Sequence, residues 1–440
     1  MRENDVESSL YMQLSIAYIK EKWQHAGFQK YLRNTGWMFF GKILSLIIAF
    51  IATAYIARNL GPINYGQLSY AISYVGLFGF LASLGLDQIV YRDIIKFPHK
   101  KDAYLGTAFI LKIIAGIVTI CICIMSAHFL SDKDVSLFLI FIISLTFLFN
   151  PFQLLNYEFQ SHAQSKYPSL TSLITVLILN VLKIIIIFNN QGVIYLALII
   201  LLEPILMGIG LLYFRLKIYG NFIGSLFNKD IALQLLKDSF PLIFATAFFG
   251  IYARVDQVMI KNMLDTESVG LYDAAVRVSE LWYFIPSMIV VSLFPAIINA
   301  KQTSREHYHK RLKKLFATVT LISILTALLT LVLSKYLILI IFGAGFIGAV
   351  SILNIYVWSN IGATLNYLSQ QLLIAENLSK KISFMIFFGM IINIGLNIWL
   401  IPISGTEGAA IATLVSYIVP FLSLFVFRDT RHMLMSIIKV

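Results

Sequence analysis

Five cations lie inside long apolar runs: Lys42, Lys112, Lys183, Arg254 and Arg277. On insertion scales a charge at the centre of a bilayer costs about 2.5 to 3.5 kcal/mol, so each must meet a partner, a bundle interior or a water-filled cavity. Arg277 has local partners, since Asp273 precedes it by four residues and Glu280 follows it by three on one helical face. The other four have no acid at three or four residues on either side. They call for a partner on another helix or for an anionic ligand. Phosphate or pyrophosphate suits them, because arginine offers two parallel donors and lysine a mobile point charge. All five are therefore expected to line a cationic cavity, with snorkelling to the interface as the alternative for Lys183, five residues from its helix end.

Helical rise puts Lys42 and Lys112 roughly 10 Å from one end of their spans and Lys183 and Arg254 roughly 22 to 24 Å from it, giving two cationic levels. Three intramembrane acids, Asp87, Glu203 and Asp256, have no evident local role. Asp87 closes a polar stripe of Ser69, Ser73, Gly76 and Ser83 and is expected near water. Glu203 and Asp256 are candidates to pair with the cations or to carry a coupling proton or sodium ion. Asn354, Asn366, Gln370, Asn393 and Asn397 fit sugar hydroxyls or helix-to-helix hydrogen bonds equally well.

The elements that must position these groups are transmembrane helices. Of 440 residues, 59% are hydrophobic and only 13% charged, and the mean hydropathy is +0.82. Apolar runs long enough to cross a bilayer occur twelve times, at 35–57, 66–88, 105–128, 136–155, 168–188, 192–214, 238–261, 272–300, 315–335, 348–372, 382–402 and 405–427. Apart from the five intramembrane cations, and with the N-terminus placed in the cytoplasm, 25 lysines and arginines fall on inner segments and four (Arg58, Lys133, Lys261 and Lys335) on outer loops or at the outer ends of runs. That asymmetry predicts both termini inside.

The stretch ARNLGPINYGQLSYA at 57–71, with Arg58, Gly61, Pro62 and Gly66, returns in looser form at 260–275, where Gly270 answers to Gly66. Gly61-Pro62 should stop one helix and Gly66 let the next begin close by. A second correspondence, Ser-Lys before the fifth and eleventh runs, supports a chain of two parallel halves with a cavity between them. The expected organisation is a cytoplasmic or interfacial segment at 1–34, a six-helix bundle at 35–214, a cytoplasmic linker at 215–237, a second six-helix bundle at 238–427 and a cytoplasmic tail at 428–440. The fold class is thus all-α integral membrane, twelve transmembrane helices in two pseudo-symmetric six-helix bundles.

Several function classes are excluded on this reading. The net charge of +12 is accounted for by the inner loops, which leaves no case for nucleic-acid binding. Cys121 and Cys123 point apart on a helix and the seven histidines are scattered, so no metal site is expected. No nucleophile with its base, phosphate-binding glycine loop or long catalytic loop appears, so no catalytic residues and no cofactor are assigned.

Three segments resemble bacterial O-antigen and polysaccharide flippases, a branch of the multidrug/oligosaccharidyl-lipid/polysaccharide (MOP) exporters: AYIARNLGPINYGQLSYA continuing to SLGLDQIVYRDI, IFGAGFIGAVSILNIY at 341–356, and NIGLNIWLIPISGTEGAAIATLVSY at 393–417. The resemblance implies a MATE-like fold that rocks between two openings. It implies transport of an undecaprenyl-diphosphate-linked oligosaccharide, an O-antigen or similar unit of lipopolysaccharide or polysaccharide biosynthesis, from the inner to the outer leaflet of the bacterial plasma membrane. Membrane lipids, a polysaccharide polymerase and a chain-length regulator are the partners it implies, and a H+ or Na+ gradient the driving force. An organic-cation exporter of the same fold and, further off, a membrane glycosyltransferase or polymerase are the alternatives.

Overall fold

In the computed structural model, residues 26–130, 137–220, 227–378 and 380–439 are described. The N-terminal segment expected over 1–34 therefore lies mostly outside the described residues. All regular elements among the described residues are helical. In chain order they are α1 (Ala26–Leu77), α2 (Gly79–Ser83), α3 (Leu86–Lys96), α4 (Lys101–Leu130), α5 (Leu137–Ser144), α6 (Leu154–Ser161), α7 (Lys166–Phe188) and α8 (Val193–Tyr219). There follow α9 (Lys229–Met263), α10 (Thr266–Thr303), α11 (Arg305–Ile341), α12 (Ala349–Tyr356), α13 (Ser359–Ala375), α14 (Lys380–Ser423) and α15 (Arg428–Lys439). Helices are what such a sequence must form in lipid, because they satisfy every backbone polar group within the segment. Nine among the described residues are long and apolar enough to cross a membrane, so the chain is a multi-pass membrane protein.

Two of the nine contain a sharp break. Gly61 in α1 takes φ 72 and ψ 168, and Gly405 in α14 takes φ 58 and ψ −138. Both lie in the left-handed half of conformational space that glycine alone enters freely. At Gly61 the following proline, whose φ is preset and which has no N–H to lose, opens the next helix. In α14 the chain doubles back: a Cβ on Gly408 would run into the carbonyl of Leu400, although eight residues of straight helix would separate the two by about 12 Å. Asn393 Nδ2 also donates to Ser416 Oγ at 3.4 Å, across the two arms.

Packing divides unevenly along the long axis. At the end that carries the Gly61-Pro62 break, one continuous apolar core takes residues from both halves, among them Ala57, Tyr65, Ile140, Val269, Phe342 and Ala409. Towards the end rich in lysine and arginine, two separate cores replace it. Leu86, Leu105, Leu154, Phe159 and Leu211 form the first, and Val290, Leu312, Leu368, Met385 and Leu424 the second. The halves are thus joined at the motif end and part at the basic end.

Helix α9 bridges them. Its first turns, with Ile231 and Leu235, are buried in the core of the first half. Gly85, at φ 62, lies so close to α9 that a Cβ there would stand 3.0 Å from Leu242 Cβ. Arg92 donates to Asp238 at 2.7 Å, and these two carboxylates, Asp93 and Asp238, hold its guanidinium well above its usual pKa. Further along, α9 joins the second half, where Tyr252 donates to the Ser416 carbonyl at 2.7 Å. The stretch expected as a linker, 215–237, is accordingly not free-standing in its described part. Arg215 is fully buried and bonded to Glu158 at 2.8 Å and to Asp102 at 2.7 Å.

Candidate functional site

The five cations take different positions. Lys112 is buried and held by Asp87 at 2.7 Å, with side-chain exposures of 3% and 30%. Asp87 is thus the partner on another helix that Lys112 required, and neither residue lines the cavities described next. The side chain of Lys42 lies outside the described residues. Lys183, on α7, is half-buried, and Glu203 and Arg277 act on it electrostatically. Arg254 passes over Gly76, with its Cγ 3.5 Å from where a Cβ would stand. Arg277 pairs with Asp273 at 3.3 Å, as its spacing predicts, and is 36% exposed.

Arg277 faces a cavity of about 660 Å³. One wall is the apolar face of α1, with Ile43, Leu46, Ile47 and Phe50. The others come from α9, α10, α13 and α14, and carry Tyr252, Tyr283, Asn360, Asn366, Gln370 and Tyr417. Beyond lies a smaller chamber of about 110 Å³, bounded by Arg254, Asp256, Gln257, Asp273, Arg277 and Glu280. Tyr252, Arg277, Glu280, Tyr356 and Tyr417 line both. The space is within the range of small-molecule sites, mainly apolar with a few convergent polar groups.

Its charges are mixed rather than uniformly positive. Against Arg254 and Arg277 stand Asp256, Asp273 and Glu280. A tally of cations by span misses this, because it assigns Asp273 and Glu280 to Arg277 and does not see that neighbouring helices bring their acids to the same chamber. Glu280 is exposed to the cavity.

Asp256 is enclosed by neutral donors. Tyr272 donates to its Oδ2 at 2.8 Å, Thr413 to the same oxygen at 2.7 Å and Asn397 to its Oδ1 at 2.6 Å. Asn397 also donates to Asn393 at 3.2 Å, and its own Oδ1 is buried without a partner. The polar pairs Asn393 and Asn397 thus serve this carboxylate. Arg254, two residues before Asp256 and so on another side of the helix, makes no ion pair with it among the described residues.

At the motif end the two copies of the repeated stretch meet. A Cβ on Gly66 would collide with the Thr266 carbonyl, and one on Gly270 with the Pro62 carbonyl. Below this crossing Tyr65 and Ser69 of α1 both donate to Asp273 Oδ2, Ser69 at 3.1 Å. Ser73 donates to Gln257, and Gln257 Nε2 donates to Asp273 Oδ1 at 2.7 Å. Arg58 reaches the end of α11, where it donates to the Ile340 carbonyl at 3.2 Å. The seam was announced in sequence only by the serine stripe and the repeated glycines. Nothing there assigned Tyr65, Gln257 or the second role of Asp273.

Comparison with known proteins places this architecture. Residues 31–301 match the model of the family described as polysaccharide biosynthesis protein. The chain belongs to that family. Over 168 residues, 38% of this chain, it is 30% identical to "Probable flippase AglR" of Haloferax volcanii, and the match spans 35% of that protein's length. Among solved structures it resembles the lipid II flippase MurJ in an inward closed conformation, with a TM-score of 0.73, 18% identity, and 90% of this chain and 87% of that one covered. It also resembles an inward-facing multidrug resistance MATE family transporter of the MOP superfamily, with a TM-score of 0.70, 13% identity, and 90% and 96% coverage. An outward-facing MATE transporter superimposes less well, at a TM-score of 0.59. Family membership and fold together make this a polysaccharide biosynthesis protein whose fold is that of the MurJ and MATE structures, closed at its motif end.

Proposed function

We propose that this polysaccharide biosynthesis protein is a flippase for an undecaprenyl-diphosphate-linked oligosaccharide, an O-antigen or similar repeat unit. It carries the unit from the cytoplasmic to the outer leaflet of the bacterial plasma membrane by alternating access. Twelve crossings with both termini cytoplasmic complete this reading: α1 and α14 each count as two at their glycine breaks, and α12 with α13 as one. The motif end then faces outward and the parted end the cytoplasm. A polysaccharide polymerase and a chain-length regulator are the partners that such a product requires.

The observation that carries the proposal is the placing of Arg277, half-exposed on a cavity walled on one side by apolar α1 and on the other by tyrosines and amides. A guanidinium can hold a pyrophosphate bidentately, the aromatic and amide wall suits the first sugars, and the apolar wall suits the prenyl chain. Arg254 in the adjoining chamber, Lys183 within electrostatic reach of Arg277, and Lys42 on α1 are the further cations of this path. Asp256 is the coupling group, since its buried carboxylate borders the smaller chamber and no cation pairs with it among the described residues, so a proton or a sodium ion would supply its missing charge. Glu203, near Lys183, is the second candidate.

Surface polysaccharide of a null strain complemented with Arg277→Ala or Arg254→Ala should be lost at normal protein level, and Arg→Lys should restore part of it. Normal polymer from both alanine variants would sink the proposal. The acids Glu280 and Asp256 favour one other reading, an organic-cation exporter. It is separated by binding: the purified protein should take up undecaprenyl diphosphate and not a lipophilic cation.

A further inference from the structure

Asp273 belongs at once to the cavity and to the seam that closes it. On the cavity side it is the ion-pair partner of Arg277, at 3.3 Å through a single nitrogen, Nε. On the seam side it accepts from Tyr65 and Ser69 of the first half and from Gln257, which Ser73 of the first half bonds in turn. The carboxylate itself is 1% exposed. Its contacts with the first half are all neutral hydroxyls, and its one ion-pairing cation among the described residues is the guanidinium that looks into the cavity.

We propose that Asp273 is a positioning residue that couples anion binding at Arg277 to opening of the motif-end seam. The inference rests on the reading of Arg277 as the pyrophosphate ligand. An anion in the cavity competes with Asp273 for the same guanidinium. As Arg277 turns to the ligand, the carboxylate keeps its neutral donors but loses its one ion-pair partner among the described residues, and breaking a buried pair is strongly disfavoured. Opening the seam lets water reach it. The closed arrangement therefore loses free energy relative to the open one when the anion is bound. By linkage, opening and anion binding favour each other to the same extent. The three hydroxyls on the first half, Tyr65, Ser69 and Ser73, lie one helical turn apart on α1, so they release as a row.

The test uses the full-length protein in lipid nanodiscs, with Cys121 and Cys123 replaced by alanine and a reporter Val269→Cys. Val269 is fully buried in the joined core, one residue before Gly270. Labelling by a water-soluble maleimide should rise about fivefold or more on saturation with undecaprenyl diphosphate, the size expected of allosteric coupling. In Asp273→Asn, labelling should already be high and respond to the lipid by less than about twofold, while affinity for the lipid rises. Tyr65→Phe loosens the seam but leaves the Asp273–Arg277 pair, so it should retain the lipid response. A merely structural Asp273 would raise labelling without raising affinity. If the lipid binds wild type and labelling does not change, or if Asp273→Asn responds as wild type does, the coupling role is wrong and the substrate reading stands. If the lipid does not bind wild type at all, both fall.

Discussion

Gly66 and Gly270, equivalent residues of the two motif copies, lie face to face where the halves meet: a Cβ on Gly66 would stand 3.0 Å from Gly270 N and run into the Thr266 carbonyl, and one on Gly270 would stand 3.2 Å from Gly66 N and run into the Pro62 carbonyl. The repeat recognises itself. With hydrogen as the side chain on both, α1 and α10 approach until backbone meets backbone, and the hydroxyls of Tyr65 and Ser69 come within reach of Asp273. Small residues at a helix crossing serve close approach in membranes, where packing replaces the hydrophobic effect as the driving force.

Gly66→Val should therefore act on conformation more than on folding. A Cβ would meet backbone, which cannot move aside as a side chain can, at an overpacking cost of about 1 to 3 kcal/mol. That cost falls on the closed seam alone. The expected result is labelling of the Val269→Cys reporter raised by about tenfold, since each 1.4 kcal/mol is tenfold, with export of polysaccharide reduced and protein level kept. Normal labelling would mean that the halves are not held at this crossing.

Lys112 and Asp87 separate a structural ion pair from a transport residue. Removing Lys112 leaves a carboxylate that is only 30% exposed, so Lys112→Ala should lower stability by about 1 to 3 kcal/mol. Replacing both by apolar residues of similar size, Lys112→Met with Asp87→Leu, should recover most of the stability, because a buried pair contributes little beyond its own desolvation. Thermal unfolding in detergent reads the first effect. Surface polysaccharide from the double variant reads the second: if it stays absent while stability is restored, Lys112 has a transport role that its pairing conceals.

Much of the fold is legible in the sequence because bilayer constraints are local. A run of about 20 apolar residues must be a helix, and Gly61-Pro62 breaks one for reasons contained in two residues. The break at Gly405 and the hairpin it makes are marked in the same way, between the runs expected at 382–402 and 405–427. Pairings are another matter. Asp87 meets Lys112 across 25 residues, and Asp273 meets Tyr65 across 208. Such contacts depend on which helix faces which, and period and spacing do not encode that. The pairing of Asp273 with Arg277 is legible in their spacing of four, but the bonds of Asp273 to the other half have no local signal. Spacing names Glu280 as a neighbour of Arg277 and Asp256 as a candidate partner for the cations, but that both line one chamber with Arg254 depends on helix facing and is not legible for the same reason.

Arg58 is the conspicuous charge of the motif, and its place in the fold is modest. It donates to the Ile340 carbonyl at the end of α11, where a cation also complements the helix dipole. A partly exposed interaction of this type is worth about 0.3 to 1 kcal/mol. Arg58→Ala should lower export by no more than about fivefold, and Arg58→Lys should be close to wild type, since a point charge serves a carbonyl as well as a guanidinium does. Complete loss of surface polysaccharide in Arg58→Lys would instead place a bidentate phosphate contact there.

Asp256 offers the cleanest division between folding and energetics. Three donors, from Tyr272, Asn397 and Thr413, converge on it, and no cation pairs with it among the described residues. Asp256→Ala would orphan those donors in the interior, at about 1 to 3 kcal/mol, and so should reduce the amount of protein. Asp256→Asn keeps the shape and an acceptor oxygen for the hydroxyls, and should fold normally. It cannot, however, take up and release a proton or hold a sodium ion as a carboxylate does. In proteoliposomes with an imposed pH or sodium gradient, flipping of a fluorescent undecaprenyl-diphosphate glycan should be stimulated by one of the two gradients in wild type. In Asp256→Asn the stimulation should vanish while the gradient-independent rate persists. Stimulation of normal size in the asparagine variant would move the coupling role away from Asp256, and the same assay on Glu203→Gln would then test the other acid.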